Sequence, residues 1–284
     1  MDHMEVDQKT KSPLPGASAD GDSNFGSSGE ANLPKGKAKE EEKFRYGNYN
    51  QYYGSRLEAK FTKDPRIDLL REEWFRNKFV LDVGCNTGVL TNYLAKHWGP
   101  SRMDGLDIDP VLVGIARKNI RHYCDKKEHD ALVGKLPAMK EHKEGEKKVF
   151  PHNIWFTCTS YVFPDDEFLD MVRPEYDTIM ALSITKWIHL NWGDEGLKRF
   201  FKRAFKNLKS GGVFIMEPQD YRTYYKSCKK IPSLKETYKN LKMRPEMFAH
   251  YLFEEVGFSE FVDLGIPEAK TKGYQRPIYA FKKK

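Results

Sequence analysis

Residues 181–196 place an unusual set of side chains between a buried-strand pattern (176–180) and an amphipathic helix pattern that begins at residue 195. Connections of this kind are usually short and polar, so we expect a functional loop here. The segment supplies a cation, hydrogen-bond donors and two indole faces through Lys186, Trp187, His189, Asn191 and Trp192. Cations and donors can hold a phosphate oxygen, and aromatic faces can hold an attached base.

A glycine-containing turn, DVGCNTG (82–88), ends the first strand pattern. Asp107 ends the next strand pattern, 25 residues after Asp82, where an acidic side chain can accept hydrogen bonds from both ribose hydroxyls of a nucleotide. A dinucleotide site would need a glycine where Asn86 stands, and Asp82 would repel its pyrophosphate. Asp82 can instead help hold the ammonium of a methionine group, so the pattern favours S-adenosylmethionine. A purely structural strand-to-helix turn is the alternative.

The end of the fourth strand pattern bears on the methyl acceptor. Adenine and glutamine methylases often carry Pro-Pro-Tyr there, whereas this chain has LSIT (182–185), so an amine or amide acceptor is disfavoured. An anionic oxygen needs no base, and segment 181–196 with the tyrosines between 46 and 53 suits a terminal phosphate on RNA. Tryptophans after a strand are also typical lids over a core, and a histidine there is often a satisfied surface residue. Both interpretations stay open.

Strand and helix patterns alternate along the chain, which predicts an α/β fold with a mostly parallel, doubly wound sheet and helices on both faces. Five apolar runs are strand patterns, at 78–84, 102–109, 153–160, 176–183 and 213–218. Helical spacing occupies 88–99, 110–123, 195–212 and 244–258. Segments 259–265 and 276–284 are expected to close the sheet as an antiparallel pair, which makes seven strands. Ligands of such sheets bind at the carboxyl ends of the strands.

The charge of the chain is unevenly distributed. The net charge is +7, but residues 1–43 hold six Lys against nine Asp and Glu, so the positive charge belongs to the remainder. A basic domain suits a polyanion such as nucleic acid, although many basic domains bind none. Residues 1–43 and 126–148 are rich in charged and small residues. We expect a disordered tail and a flexible charged insertion on one domain spanning 44–284.

The cysteines and the apolar runs bear on metal and membrane binding. The four cysteines show no zinc-site or disulfide spacing, so we expect no metal and a reducing compartment. No apolar run approaches the roughly 18 residues of a membrane span, and the first residues lack a signal-peptide pattern. We expect a cytosolic or nuclear monomer without membrane attachment.

Several stretches together resemble the Bin3 family: FRYGNYNQYYGSR (44–56), LDVGCNTGVLT (81–91), WGPSRMDGLDID (98–109), LSITKWIHLNWGDEGLKR (182–199), EPQ (217–219) and KGYQRPIY (272–279). The fourth stretch is far more specific than the glycine turn. The resemblance implies a class I S-adenosylmethionine-dependent methyltransferase fold. It also implies methyl transfer to the 5′ γ-phosphate of a small non-coding RNA such as 7SK, retention of the capped RNA, ribonucleoprotein partners and a nuclear location.

Position by position, the resemblance implies three groups of site residues. Facing the triphosphate would be Tyr46, Asn48, Lys186 and Arg276. At the cofactor would be Tyr46, Arg56, Asp82, Gly84, Cys85, Asn86, Gly88, Asp107, Ile108, Ser160, Tyr161 and Leu182. At the RNA would be Trp187, His189, Asn191, Trp192, Glu217 and Gln219. A carboxylate would repel phosphate, so Glu217 is expected to orient neighbouring donors.

The chain departs from the family pattern at two places. Asp220-Tyr221 follows EPQ where the family typically has Pro-Trp, and Ser160-Tyr161 stands where Asn-Tyr is usual. Two alternatives to a γ-phosphate methyltransferase stay open: an RNA-binding scaffold with secondary or lost catalysis, and a methyltransferase for 5′-monophosphate RNA. A methyltransferase for small molecules or proteins is disfavoured by the basic domain and segment 181–196.

Overall fold

Seven strands form one sheet in the part of the chain that the computed structural model describes, residues 43–58, 63–132 and 149–284. They are β1 (Phe79–Val83), β2 (Arg102–Asp107), β3 (Ile154–Cys158), β4 (Tyr176–Leu182), β5 (Leu208–Glu217), β6 (Glu260–Gly265) and β7 (Ile278–Lys282). The order across the sheet is β3-β2-β1-β4-β5-β7-β6. Strands β1 to β5 pair in parallel, and β7 is antiparallel to both of its neighbours. The predicted sheet and its antiparallel closing pair are confirmed.

Eight α-helices have bounds within the described residues: α1 (Tyr52–Arg56), α2 (Val89–His97), α3 (Pro110–Tyr123), α4 (Lys126–Leu132), α5 (Thr185–Asn207), α6 (Arg222–Lys230), α7 (Lys235–Asn240) and α8 (Phe248–Tyr251). The sequence determines where α3 begins, through Asp109 and Pro110. Pro110 occupies the first turn, and the Asp109 carboxylate accepts hydrogen bonds from the backbone N–H groups of Val111 (2.7 Å) and Leu112 (3.3 Å). No described helix is long and apolar enough to cross a membrane.

The central strands β1 and β4 are mainly apolar because both of their faces are buried. Along β1, Val80 belongs to the core on one face of the sheet, and Leu81 belongs to the core on the other face. Ile179 and Met180 of β4 divide in the same way, since successive side chains in a strand point to opposite faces. The register pairs Leu182 with Glu217. Parallel pairing therefore brings the carboxyl ends of β4 and β5 to the same edge, beside the ends of β1 and β2.

The segment predicted as a loop, 181–196, is mainly helical, so that prediction was wrong. The connection after β4 is only Ser183 and Ile184, and α5 then runs to Asn207 with one break at Gly193 (φ 66°, ψ −169°). Neither Gly nor Pro occurs between residues 183 and 192, and Ile188 and Leu190 are buried in the first half of the helix. Burial of this face against the rest of the fold outweighs the polar composition that suggested a loop.

Several boundaries differ from the predictions. The helix expected over 195–212 ends at Asn207, because β5 already begins at Leu208. Helices α6 and α7 were not predicted. Lys126–Leu132, expected at the start of the flexible insertion, forms a helix, whereas the rest of that insertion (133–148) and the tail up to residue 42 lie outside the described residues.

Candidate active site

A cleft of about 920 Å³, including its solvent-filled mouth, lies at the carboxyl ends of β1, β2 and β4. Its walls come from the turns after these strands, from the first turns of α5 and from the segment around α1. It brings together twelve residues expected from the sequence: Tyr46, Asn48, Asp82, Gly84, Asn86, Asp107, Ile108, Ser160, Tyr161, Leu182, Trp187 and Trp192. Residues that are far apart in the chain thus meet at the edge of the sheet where parallel folds bind ligands.

Two buried carboxylates line the cleft. Asp107 accepts hydrogen bonds from the backbone N–H groups of Asn86 (2.9 Å) and Asp109 (3.0 Å), and burial raises its pKa. Asp82 accepts a hydrogen bond from the Thr91 hydroxyl (2.7 Å), and burial raises its pKa to about 6. The backbone therefore fixes the orientation of Asp107, and both groups offer hydrogen-bond acceptors to a ligand.

Two amide oxygens in the cleft have no hydrogen-bond donor among the described residues: Asn48 Oδ1 and Asn86 Oδ1, both buried. The amide nitrogens of the same side chains are used, since Asn86 Nδ2 donates to the Tyr49 carbonyl (3.0 Å) and Asn48 Nδ2 donates to Asp109. Buried acceptors normally have a partner. This part of the cleft is therefore suited to a ligand that carries N–H donors, such as an ammonium group.

Residues 43–56, which we call the N-terminal strap, connect the cleft to α5. The ring of Tyr46 stacks on Trp192, with centroids 5.7 Å apart. Gly47 (φ 71°) lies against the Trp187 indole, where an added Cβ would be 2.1 Å from the ring. Asn191 accepts a hydrogen bond from Arg45 Nε (2.8 Å) and donates to the Arg45 carbonyl (3.0 Å). Asn191 therefore holds the strap, which differs from the expected RNA contact.

Two cations, Lys186 and Arg276, lie next to the cleft. Lys186 lies in the first turn of α5, two residues after the cleft residue Ile184. It is 8% exposed, and its ammonium lies 4.5 Å from the Trp187 ring centroid. Across residues 43–58, 63–132 and 149–284 this ammonium has no hydrogen-bonding or ion-pair partner. Burial, with Arg276 nearby, lowers the pKa of Lys186 to about 7. A buried cation of this kind calls for an anion.

The hydroxyl of Ser183 holds Arg276 in place. Arg276 Nη1 donates to Ser183 Oγ (2.9 Å), and the Tyr52 hydroxyl donates to the same atom (3.1 Å). Ser183 Oγ itself donates to Glu217 Oε2. The backbone of Ser183 is in the left-handed region (φ 63°), although it is not a glycine. One strained serine in the cleft wall thus joins the strap, the end of β5 and the C-terminal segment.

Glu217 and Arg56 form a buried ion pair behind the cleft and do not line it. Both side chains are fully buried, and Arg56 Nη2 is 2.7 Å from Glu217 Oε1. Arg66 adds a longer contact to Glu217 (3.5 Å) and is itself paired with Asp64 (2.6 Å). Arg56 was expected at the cofactor and Glu217 at the RNA, and the structure puts both side chains behind the cleft lining. Glu217 does reach Arg276 through Ser183, which is the arrangement an orienting group requires.

His189 and Gln219, both expected at the RNA, also lie outside the cleft lining. His189 is fully buried; its Nε2 lies 2.7 Å from Asp194 Oδ1, and its Nδ1 lies 3.4 Å from the Tyr224 hydroxyl. Gln219 Oε1 accepts hydrogen bonds from the Thr185 hydroxyl (3.1 Å) and the Lys186 backbone N–H (3.0 Å), and its nitrogen donates to the Ser183 carbonyl. Both side chains support the start of α5.

Cys85 and Gly88 belong to the glycine turn but lie outside the cleft lining. The Cys85 thiol is buried, and burial raises its pKa. Gly88 begins α2 and packs against Phe156 and Ala116. Ser183, Tyr52 and Arg66 also belong to the site, although the sequence did not predict them there. Tyr52 belongs to the tyrosines between 46 and 53, which did suggest a role at the site. Ser183 and Arg66 contact Glu217 from distant segments of the chain, and the sequence gives no local signal for such contacts.

Two family profiles match overlapping parts of the chain: a methyltransferase domain over residues 81–214, and Bicoid-interacting protein 3 (Bin3) over residues 176–283. The 7SK snRNA methylphosphate capping enzyme of Mus musculus is 40% identical over an alignment of 281 residues; the alignment covers 87% of this chain and 42% of that protein. The U6 snRNA methylphosphate capping enzyme Amus of Drosophila melanogaster is 40% identical over 243 residues, which cover 84% of this chain and 75% of that protein.

Among solved structures, the N-methyltransferase NodS from Bradyrhizobium japonicum in complex with S-adenosyl-L-homocysteine has a TM-score of 0.52 at 12% identity, covering 87% of this chain and 98% of that one. At this identity the similarity concerns the fold alone. The chain spans about two fifths of the length of the mouse relative and three quarters of the Drosophila relative. On this identity and coverage, the chain belongs to the Bin3 family and has the class I S-adenosylmethionine-dependent methyltransferase fold.

Proposed function

We propose that this chain transfers a methyl group from S-adenosylmethionine to the γ-phosphate at the 5′ end of a small non-coding RNA. The observation that carries this proposal is the buried ammonium of Lys186, which lacks a partner among the described residues and lies beside Arg276 at the edge of the cleft. A buried lysine beside a half-buried arginine fits an anionic acceptor and does not fit an amine.

The cleft residues fit S-adenosylmethionine. Asp107, which backbone N–H groups hold in one orientation, would accept hydrogen bonds from the ribose hydroxyls. The unpaired oxygens of Asn48 and Asn86, with Asp82 nearby, fit the ammonium of the methionine part. Ile108 and Tyr161 provide apolar surface for the adenine. When bound, the cofactor supplies an electrophilic methyl group on a sulfonium.

The protein contributes alignment to the reaction. Lys186 and Arg276 would hold non-reacting oxygens of the phosphate, leaving one oxygen to form a bond to the methyl carbon as the bond from that carbon to sulfur breaks. The products are a methyl phosphate ester and S-adenosylhomocysteine, and the phosphate loses one negative charge. A phosphate oxygen has no proton to remove, so no general base is required. Alignment of donor and acceptor can supply about 7–11 kcal/mol of the barrier reduction.

The named relatives support a small RNA as substrate, since they are capping enzymes of 7SK and U6 snRNA. We assign the catalytic domain to residues 44–284 and expect the protein in the nucleus, bound to its RNA in a ribonucleoprotein. Trp187, which lines the cleft and lies against Lys186, would contact the first nucleotide. The complete set of cleft acceptors favours catalysis over a scaffold that has lost its cofactor.

The proposal is tested by methyl transfer from labelled S-adenosylmethionine to one stem-loop RNA prepared with a 5′ triphosphate, a 5′ monophosphate or a 5′ hydroxyl. Label on the triphosphate form alone, released by a pyrophosphohydrolase, is the expected result. Label on the monophosphate form alone would show that the substrate is 5′-monophosphate RNA and would contradict the γ-phosphate as acceptor. Equal label on all three forms places the methyl on a base or ribose, and no label with intact cofactor binding favours the scaffold; both contradict the proposal.

A further inference from the structure

Strand β6 forms one edge of the sheet and differs in charge from the rest of the chain. Among the described residues it pairs only with β7, so the backbone N–H and C=O groups on its outer side are left for another strand. Residues 245–269, which contain β6, hold six Asp and Glu and neither Lys nor Arg, although the whole chain has a net charge of +7. The edge therefore belongs to an acidic region of a basic protein.

One face of β6 combines an exposed aromatic ring with carboxylates. Phe261 is 42% exposed, and its ring centroid lies 6.4 Å from that of Phe253, which is followed in the chain by Glu254 and Glu255. Asp263 shares the face of Phe261, because alternate residues of a strand point the same way. The three carboxylates are exposed, and none forms an ion pair within residues 43–58, 63–132 and 149–284. We call Glu254, Glu255, Phe261 and Asp263 the β6 edge surface.

The other face of β6 borders a groove of about 1000 Å³, including open solvent. Val262 lines this groove together with Val213 of β5 and Ala280 of β7. Charged side chains also line it, and two of them, Glu260 and Lys282, lie 3.4 Å apart and partly compensate each other. A strand added to β6 would therefore direct one set of alternate side chains towards aliphatic surface and the other set towards unpaired carboxylates.

The charge and shape of this edge select one kind of occupant. Carboxylates repel the phosphates of a nucleic acid, so the β6 edge surface does not suit RNA. An open strand edge binds an extended peptide through main-chain hydrogen bonds, and the flanking side chains select the sequence of that peptide. A Lys or Arg side chain fits this edge, because its aliphatic stem can cover the ring of Phe261 while its charged end reaches Glu254 or Asp263.

We propose that β6 binds an extended, basic segment of a partner protein as an added strand, with Lys or Arg side chains on the β6 edge surface and aliphatic side chains towards Val262. The active-site cleft lies at the ends of β1, β2 and β4, and β5 and β7 separate β4 from β6. The RNA substrate and the basic segment therefore occupy separate parts of the sheet. The inference does not depend on which phosphate the protein methylates.

The first test uses the full chain and the fluorescent peptide Lys-Val-Lys-Val-Lys-Val-Lys, with binding followed by anisotropy. When this peptide is extended, its lysines lie on one face and its valines on the other. The control peptide Lys-Pro-Lys-Val-Lys-Pro-Lys has the same charge, but its prolines lack the N–H groups that a strand ladder needs. We expect the valine peptide to bind about tenfold more tightly than the proline peptide. Equal affinities, or no binding of either peptide, would overturn strand addition.

The second test removes the carboxylates. Glu254→Gln/Asp263→Asn keeps a side-chain oxygen at position 263, where Asp263 Oδ1 accepts a hydrogen bond from the Gly265 N–H (2.8 Å). The matched control is Asp165→Asn/Glu167→Gln, which removes two exposed carboxylates from the segment after β3, the strand at the other edge of the sheet. We expect the first pair to weaken binding of the valine peptide about fivefold and the control to leave it unchanged. Equal losses would show a net-charge effect and overturn the proposal.

Hydrogen exchange then locates the bound peptide. The backbone amides of residues 260–264 should exchange more slowly in its presence, because outward N–H groups become hydrogen-bonded. Slower exchange at the cleft without a change in β6 would assign the peptide to the active site and overturn the proposal. Sedimentation of the wild-type chain alone checks the remaining occupant: a dimer that Glu254→Gln/Asp263→Asn abolishes would assign the edge to a second copy, which also overturns it.

Discussion

Ser183 donates a hydrogen bond to Glu217 from a backbone conformation (φ 63°) that a serine rarely adopts. The same hydroxyl accepts hydrogen bonds from Tyr52 and Arg276. Glycine would adopt this backbone conformation without strain, but it has no hydroxyl. The hydroxyl of Ser183 is therefore present despite the backbone strain, and we infer that Ser183 positions Arg276 for the phosphate.

Ser183→Ala and Ser183→Gly separate backbone strain from the hydroxyl. Both variants should lower kcat/KM for triphosphate RNA to a similar extent, about tenfold, because Arg276 loses its hydrogen bond. The glycine variant should be more stable than the alanine variant by about 1 kcal/mol, since glycine relieves the left-handed strain. Denaturant unfolding and steady-state kinetics measure the two effects. Recovery of activity in the glycine variant would contradict a positioning role for the hydroxyl.

Lys186 and Asp107 should give opposite phenotypes. Lys186→Ala should reduce methyl transfer to triphosphate RNA at least tenfold and leave S-adenosylmethionine affinity within about threefold, because a cation-to-phosphate hydrogen bond contributes about 1.5–3 kcal/mol. Asp107→Ala should mainly weaken the binding of S-adenosylmethionine. Calorimetric binding of cofactor and single-turnover methyl transfer distinguish the two variants. A collapse of cofactor affinity in Lys186→Ala would show that the role assigned to the lysine is wrong.

The pH dependence of RNA methylation should report Lys186. Burial and Arg276 lower its pKa to about 7, so the free protein loses the ammonium as the pH rises through that value. We expect kcat/KM for triphosphate RNA to fall above about pH 7, since this parameter reports the free enzyme. The Lys186→Arg variant keeps its positive charge at these pH values, so its kcat/KM should not fall above pH 7, whatever the absolute value of kcat/KM. The same alkaline decline in both proteins would assign it to another group.

Gly47 should be required for closure of the strap. A Cβ at Gly47 would lie 2.1 Å from the Trp187 indole, and its φ of 71° disfavours any side chain. Gly47→Ala should therefore displace the strap and weaken S-adenosylmethionine binding about tenfold, as loss of 1–2 kcal/mol implies. Gly54→Ala is the matched control in the same strap, because a Cβ there meets only Gln51 at 3.4 Å. Equal affinities for the two variants would argue against a closed strap in the cofactor complex.

The sheet could be predicted from the sequence because its strands are apolar runs bounded by glycines and charged residues, and because their order alternates with helices. The cofactor side of the site could also be predicted, since Asp82, Asn86 and Asp107 are local to two strand ends. The first half of α5 could not, because its burial depends on segments far away in the chain. The same holds for Arg56 and Glu217, which form an ion pair across 161 residues of sequence, and for His189, whose neighbour Tyr224 is 35 residues away.

Asp194, which follows the break in α5 at Gly193, also fixes the distance between two parts of the molecule. Its carboxylate contacts His189 in the first half of α5 and accepts hydrogen bonds from the backbone N–H groups of Lys242 (2.8 Å) and Met243 (3.3 Å), just beyond α7. One side chain therefore joins the helix that carries Lys186 to the segment just beyond α7. A shift of the segment beyond α7 would therefore displace the first half of α5, and with it Lys186.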